Sequence, residues 1–306
     1  MAMQSGIIYG RLIVRQAKKL VLRSLVGNGP SSQSLRLVTA YCGFAKLNNN
    51  QPRKKFIYGE DAFFVAENKF ANVVGVADGV GGWRDYGIDA SKFSTALMRK
   101  CERFVVDGGL MQAPTASEVI KEGFKELSED KPANFGSSTA CVIVFDKQRN
   151  ILNSANLGDS GFVVFRKGKL HHRTTEQQHY FNTPYQLACP PPEQEGTVIQ
   201  DSIDEADVST IAVEEGDIIV LGSDGLFDNL SMQQISREIL QLKDTTKESL
   251  QYLANCLAGK ARKLAYDPTY LSPFAINAKR EGLDIKGGKP DDITVLISVI
   301  ACRQDV

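Results

Sequence analysis

Apolar and polar residues are arranged along this chain in two rhythms. Short apolar or alternating runs predict strands over 37–44, 61–66, 72–77, 138–145, 151–155, 161–166, 170–174, 211–213, 217–221 and 293–299. The Lys167-Gly168 turn makes a hairpin of the runs at 161–166 and 170–174. A helical period covers 89–106, where Phe93, Leu97, Cys101, Phe104 and Val105 share one face. A second helix is expected over 115–128, opened by a capping box of Thr115 and Glu118. Two more open at Ser231, boxed with Gln234, and at Thr245, boxed with Glu248. The proline-rich polar stretch 180–207 and the stretch 266–288 read as long irregular loops. Strands and helices come in runs rather than strict alternation, which predicts an α+β chain with mostly antiparallel sheets.

The chain has 306 residues, 42% of them apolar, enough for one large core or two small ones. No apolar run approaches the roughly 18 residues of a membrane span, so no transmembrane segment is expected. Six scattered cysteines without a C-x-x-C pair argue against a zinc ribbon and a disulfide framework; buried free thiols are expected. Net charge is zero but unevenly placed. No acid precedes Glu60, and the first 59 residues carry ten Lys or Arg, leaving 26 basic against 36 acidic residues in the remainder. That acidic body does not suit a nucleic-acid binder. In the acid-free start, Arg11, Arg15, Lys18, Lys19 and Arg23 recur about once per helical turn beside Ile7, Ile8, Leu12, Leu20, Leu22 and Leu25. This is the pattern of a mitochondrial transit peptide; the alternative is a basic surface helix of the folded body. Residues 27–33 read as a flexible boundary, so residues 1–35 are divided off as targeting peptide and linker, and 36–306 form the folded domain.

The chemistry gathers at strand ends. The run Val73-Val74-Gly75-Val76-Ala77 stops on Asp78, followed by Gly79, Gly81 and Gly82, where the backbone can turn tightly or approach a ligand. The spacing is not G-x-G-x-x-G, and a carboxylate at the mouth would repel a pyrophosphate, so a cation is the better guest. Other acids occupy the same kind of place: Glu60-Asp61 open a strand, and Asp159 follows Asn156-Leu157-Gly158. Asp224-Gly225 ends an apolar run with Asp228 four residues on, and Asp291-Asp292 precede the last strand. One such Asp is usually a turn former. Gathered at one edge, however, these carboxylates would repel unless divalent ions held them, and all-oxygen donors suit Mg²⁺ or Mn²⁺. Two ions about 3.5–4 Å apart activate a bridging water and clamp a phosphoryl group.

Six ordered motifs spanning nearly all of 37–300 carry a resemblance. They are Glu60-Asp61, Val76-Ala77-Asp78-Gly79-Val80-Gly81-Gly82, Gly136-Ser137-Ser138-Thr139-Ala140, Asn156-Leu157-Gly158-Asp159-Ser160, Ser223-Asp224-Gly225-Leu226-Phe227-Asp228 and Lys289-Pro290-Asp291-Asp292-Ile293-Thr294-Val295. In this the chain resembles the metal-dependent PPM (type 2C) protein phosphatases. With its basic start and the run Gly81-Gly82-Trp83-Arg84-Asp85-Tyr86-Gly87 it is similar to their mitochondrial branch. The resemblance implies a four-layer sandwich of two antiparallel β-sheets flanked by pairs of α-helices. It implies that Asp78 bridges two ions, Mn²⁺ or Mg²⁺, that Gly79 binds through its carbonyl, and that Glu60, Asp224 and Asp291 complete the pair. Asp159 and Asp228 match positions that hold a weaker third ion with Asp224. The implied activity is hydrolysis of phosphoserine and phosphothreonine on mitochondrial matrix proteins, with a role in supporting coenzyme Q biosynthesis or mitochondrial homeostasis.

Two positions depart from that pattern. Val80 stands where many members carry His as a proposed general acid, and Phe56 where many carry a phosphate-binding Arg. Lys54, Lys55 and Arg53 are candidate replacements for the anchor, or merely solvated basic residues. Gly158-Asp159-Ser160-Gly161 also resembles the nucleophile segment of trypsin-like proteases, but His171, His172 and His179 all follow Ser160, the wrong order for that family. A histidine metal site is less expected than polar loop histidines. The alternative from another class is a non-catalytic scaffold that keeps the fold; the complete acidic set argues against it, since a binding module needs no metal ligands.

Overall fold

Strands that are apolar at every position need cover on both faces, and the architecture supplies it. The computed structural model of the chain describes residues 34–47, 58–130 and 134–302. In chain order the elements begin with β1 (Leu35–Phe44), β2 (Asp61–Glu67) and β3 (Ala71–Asp78), then helices α1 (Ala90–Asp107) and α2 (Ala116–Glu129). There follow β4 (Gly136–Ser138), β5 (Ala140–Asp146), β6 (Ile151–Leu157), β7 (Gly161–Arg166) and β8 (Lys169–Arg173). The short β9 (Gln178–Tyr180), β10 (Thr183–Pro184) and β11 (Leu187–Cys189) lead to β12 (Asp207–Ala212) and β13 (Ile218–Gly222). Helices α3 (Asp224–Phe227), α4 (Met232–Ile239), α5 (Lys247–Ala265) and α6 (Pro273–Arg280) precede the last strand, β14 (Ile293–Cys302).

Two five-stranded sheets result, ordered β12-β6-β5-β3-β2 and β1-β14-β13-β7-β8. The pairings within the first are antiparallel, as are those of β13 with β14 and β7 and of β7 with β8. Side chains two apart share a face. Along β3, Val73 and Ala77 face the α1–α2 layer with Phe93, Leu97 and Ile120. The intervening Val74 and Val76 join Ile143, Phe145, Leu221 and Leu296 between the sheets. Along β13, Val220 turns the other way, onto Leu253 and Leu257 of α5. Three apolar interfaces separate four layers: helices, sheet, sheet, helices. This is the four-layer α+β sandwich that the resemblance implied. Cys101, Cys141 and Cys189 are buried, as expected, whereas Cys42, Cys256 and Cys302 are only partly so.

Several local expectations change. The run 138–145 is divided at Thr139: β4 leaves the large sheet to pair with β11, while β5 stays in it. The stretch 180–207 holds β10, β11 and two 3-10 turns, and 266–288 contains α6. The cap of α5 is Thr246, accepting from the Ser249 backbone N, not Thr245. Asp244 Oδ1 accepts from both the N and the Oγ1 of Thr246, which draws the cap forward by one residue. The transit-peptide segment 1–33, together with Arg53, Lys54, Lys55 and Phe56, lies outside the described residues.

Candidate metal centre

The acidic residues meet because strand ends from both sheets meet. In the β2–β3 pair, Asp61 is registered directly opposite Asp78. In the other sheet, β13 runs into Ser223-Asp224 beside the start of β14. Ser223 joins the two: its hydroxyl donates to Asp61 Oδ2 at 2.6 Å and accepts from Thr294 N at 3.1 Å. Thr139 makes a second join: its Oγ1 accepts from Asp78 N at 3.0 Å and lies 2.8 Å from Ser160 Oγ, next to Asp159. Two glycines are required here by space. A Cβ on Gly79 would stand 2.8 Å from the carbonyl oxygens of Glu60 and Ala90, and one on Gly225 only 2.0 Å from Asp292 O.

Five of the sequence-chosen aspartates, Asp78, Asp159, Asp224, Asp228 and Asp291, form one electrostatic cluster, together with Asp61. Burial and then the neighbouring carboxylates hold Asp78 and Asp61 well above the usual carboxylate range. Burial with the Asp224 charge does the same to Asp159. The same causes push Asp291 up to about 6 and Asp228 up to about 7, against the opposing pull of Lys289. Asp224 goes the other way: burial raises it, but the Lys289 charge and hydrogen bond outweigh burial and hold it low. Glu60 is answered by a different cation. Its carboxylate takes a two-pronged bond from Arg84, Nε to Oε1 at 2.8 Å and Nη2 to Oε2.

Among the described residues no three His, Cys, Asp or Glu side chains converge on one metal-sized point. Protein cations answer the charge instead, Lys289 in the aspartate cluster and Arg84 on Glu60. The donor set still fits a hard divalent ion. It is all oxygen and mostly carboxylate, and Asp61 Oδ1 and Asp224 Oδ1 are buried without a hydrogen-bond partner.

Sequence reasoning gave no role to five participants. Asp292, the neighbour of Asp291, accepts from Lys46 N and Glu60 N at 2.7 Å each, latching the chain before β2 to the start of β14. Ser223 and Thr139 carry no periodic signal, since their role is to cross between sheets. Lys289 was visible only as the one basic residue among the acidic motifs. Trp83 is pinned by a buried chain, its Nε1 donating to Ser137 Oγ, which donates to Gln186 Oε1, each at 2.6 Å. Among the described residues the histidines do not gather with other donors around one point. His179 bonds Asp201 at 2.9 Å and stacks on Tyr185, and His172 lies against Phe162.

Comparison with known proteins gives this geometry its context. Residues 51–265 match the family described as Protein phosphatase 2C. The chain is 49% identical over 286 residues to the Protein phosphatase PTC7 homolog of Xenopus laevis, spanning 92% of this chain and 96% of that one. It is 48% identical over 305 residues to the Protein phosphatase PTC7 homolog of Homo sapiens, spanning 98% and 99%. The solved structure of the photosystem II phosphatase PBCP is similar at a TM-score of 0.72 and 31% identity, covering 86% of this chain and 98% of that one. The catalytic domain of the serine threonine protein phosphatase PstP, solved with two manganese ions, shares the fold at a TM-score of 0.55 and 16% identity, covering 88% and 100%. Fold and site thus define a metal-dependent protein phosphatase. The chain belongs to the protein phosphatase 2C family.

Proposed function

We propose that the chain is a mitochondrial protein serine/threonine phosphatase that hydrolyses phosphoserine and phosphothreonine at the strand-end carboxylates. The observation that carries this reading is the pair of buried, partnerless oxygens, Asp61 Oδ1 and Asp224 Oδ1, within a cluster of six aspartates. Asp78, Glu60, Asp224 and Asp291, with the Gly79 carbonyl, would hold two Mn²⁺ or Mg²⁺ ions there. When bound, two such ions supply an activated water and hold the phosphoryl oxygens for in-line displacement. Ser223 fixes the Asp61 carboxylate, Thr139 the backbone of Asp78, and Asp292 the backbone that carries Glu60. Val80 follows Gly79 and cannot donate a proton, so the departing serine or threonine oxygen takes one from water or another group. The test is Asp78→Ala and Asp224→Ala in a manganese-dependent assay on a phosphate ester. Activity below a tenth of wild type in both supports the assignment, and retention above that in either refutes it.

Mitochondrial placement is supported by the acid-free amphipathic run 7–25 and by resemblance to the mitochondrial branch. Residues 1–35 are then a transit peptide and linker, the folded domain occupies 36–306, and the substrates are matrix phosphoproteins, among them proteins of coenzyme Q biosynthesis. Among the described residues no helix is long and apolar enough to cross a membrane. A chain lacking residues 1–35 should fold and bind Mn²⁺ but fail to enter isolated mitochondria; entry of the shortened chain contradicts the placement.

A further inference from the structure

Resting on the metal-ligand assignment above, we propose that the Lys289 ammonium is a built-in third cation. It takes the place among Asp159, Asp224 and Asp228 that a third divalent ion would take, and it limits the protein to two ions. The contacts are direct. Lys289 Nζ bonds Asp224 Oδ2, lies 2.8 Å from Asp228 Oδ2 and 3.6 Å from Asp291 Oδ2, and Asp159 faces it electrostatically. Its fourth side is the Phe274 ring, whose centroid is 5.1 Å from Nζ, a cation–π distance. The side chain is only 13% exposed.

The backbone shows that this placement is built. Asn229, the residue after Asp228, is fully buried and grips Lys289 from both sides. Its Oδ1 accepts from Lys289 N and its Nδ2 donates to Lys289 O, each at 2.9 Å. Just before, Gly288 packs so closely on the end of α5 that a Cβ there would lie 2.0 Å from Leu264 O. Just after, Pro290 restricts φ. On the far side, Phe274 N donates to Asp228 O at 3.1 Å, fixing the ring to the same turn that supplies the carboxylate.

An ammonium offers three donors and no acceptor, so it satisfies carboxylates and excludes any metal from its own volume. A divalent ion in that volume would need the surrounding carboxylates at about 2.0–2.1 Å, and the ammonium already there leaves it no room. The charge at this position is therefore present whatever the free Mn²⁺ or Mg²⁺ concentration. Asp228 on this account serves Lys289 rather than an ion.

The experiment is the Mn²⁺ stoichiometry of the full chain by equilibrium dialysis with elemental analysis, for wild type, Lys289→Met, Lys289→Arg and Asp228→Asn. The expected counts are two for wild type, two for Lys289→Arg, three for Lys289→Met and two for Asp228→Asn. The melting temperature of metal-stripped Lys289→Met should also fall below that of wild type. Three ions in the wild type, two in a folded Lys289→Met, or a count reduced by Asp228→Asn overturns the proposal. If Lys289→Met does not fold, the wild-type and Asp228→Asn counts decide alone. A wild type that binds no Mn²⁺ overturns the metal-centre reading itself, a result distinct from a count of three.

Discussion

At the scale of single residues, the chemistry turns on what Val80 lacks. Its N–H donates to Ser137 O at 3.0 Å, which fixes the backbone after Gly79, but its side chain has nothing to give a leaving oxygen. General acid catalysis contributes about 10²–10⁴-fold, most for poor leaving groups. His179 is engaged by Asp201 and Tyr185, which leaves it a poor source for that proton. The rate should therefore depend steeply on leaving-group acidity across a series of phosphate esters, with aryl phosphates favoured over phosphoserine peptides. Val80→His should flatten that dependence. A flat profile in the wild type that steepens on His179→Asn would show that the acid is already present. Asp78 and Asp224 were readable from sequence as candidates because Asp at the end of an apolar run followed by Gly is a local pattern. Lys289 and Arg84 were not, because each matters through carboxylates distant in the chain.

At the scale of elements, capping chemistry was legible where it was local. The Thr115–Glu118 and Ser231–Gln234 boxes form as their spacing predicts. Helix α6 escaped notice although Ser272-Pro273 is a cap followed by proline at the first helical position. It has eight residues and buries only Ala275 and Ala278, too little for an apolar stripe. Packing between elements sets a sharper test at Gly123, where α2 crosses α1. A Cβ there would lie 2.5 Å from Cys101 Sγ and 3.0 Å from Cys101 N. Helix propensity alone favours alanine over glycine by about 0.8–1.0 kcal/mol, whereas overpacking costs about 1–3 kcal/mol. Gly123→Ala should thus destabilise, by up to about 2 kcal/mol in denaturant unfolding, and Cys101→Ala should recover part of the loss. A more stable Gly123→Ala would show that the helices separate at little cost.

At the scale of the molecule, two sheets packed face to face bring strand ends with like charges together. Burial and mutual repulsion raise Asp228 to about 7 and Asp291 to about 6 from the ordinary 3.8, and Asp61, Asp78 and Asp159 well above it. In that window the folded metal-free chain binds more protons than the unfolded one, so stability falls as pH rises. Asp224, held below 3.8, and Lys289, held above 10.5, act outside the window. The melting temperature of chelator-treated protein should therefore drop as pH rises from 3.8 toward about 7. Saturating Mn²⁺ should remove that slope and add about 2.7 kcal/mol for each site at a hundred times its dissociation constant. A metal-free protein that gains stability across the window contradicts the charge arrangement.

The sequence by itself determined the strands, the long helices and the positions of the metal-binding candidates, because period-2 and period-3.6 patterns and Asp-Gly turns are properties of neighbours in the chain. Only the tertiary structure decided how those pieces meet. Asp61 stands opposite Asp78 through β2–β3 register, Ser223 and Asp292 tie the sheets at the site, and Lys289 enters the carboxylate cluster from the turn before β14. Apart from the β2–β3 pairing, these are contacts across 61 to 232 residues of chain, set by packing of buried faces, and no local spacing encodes them.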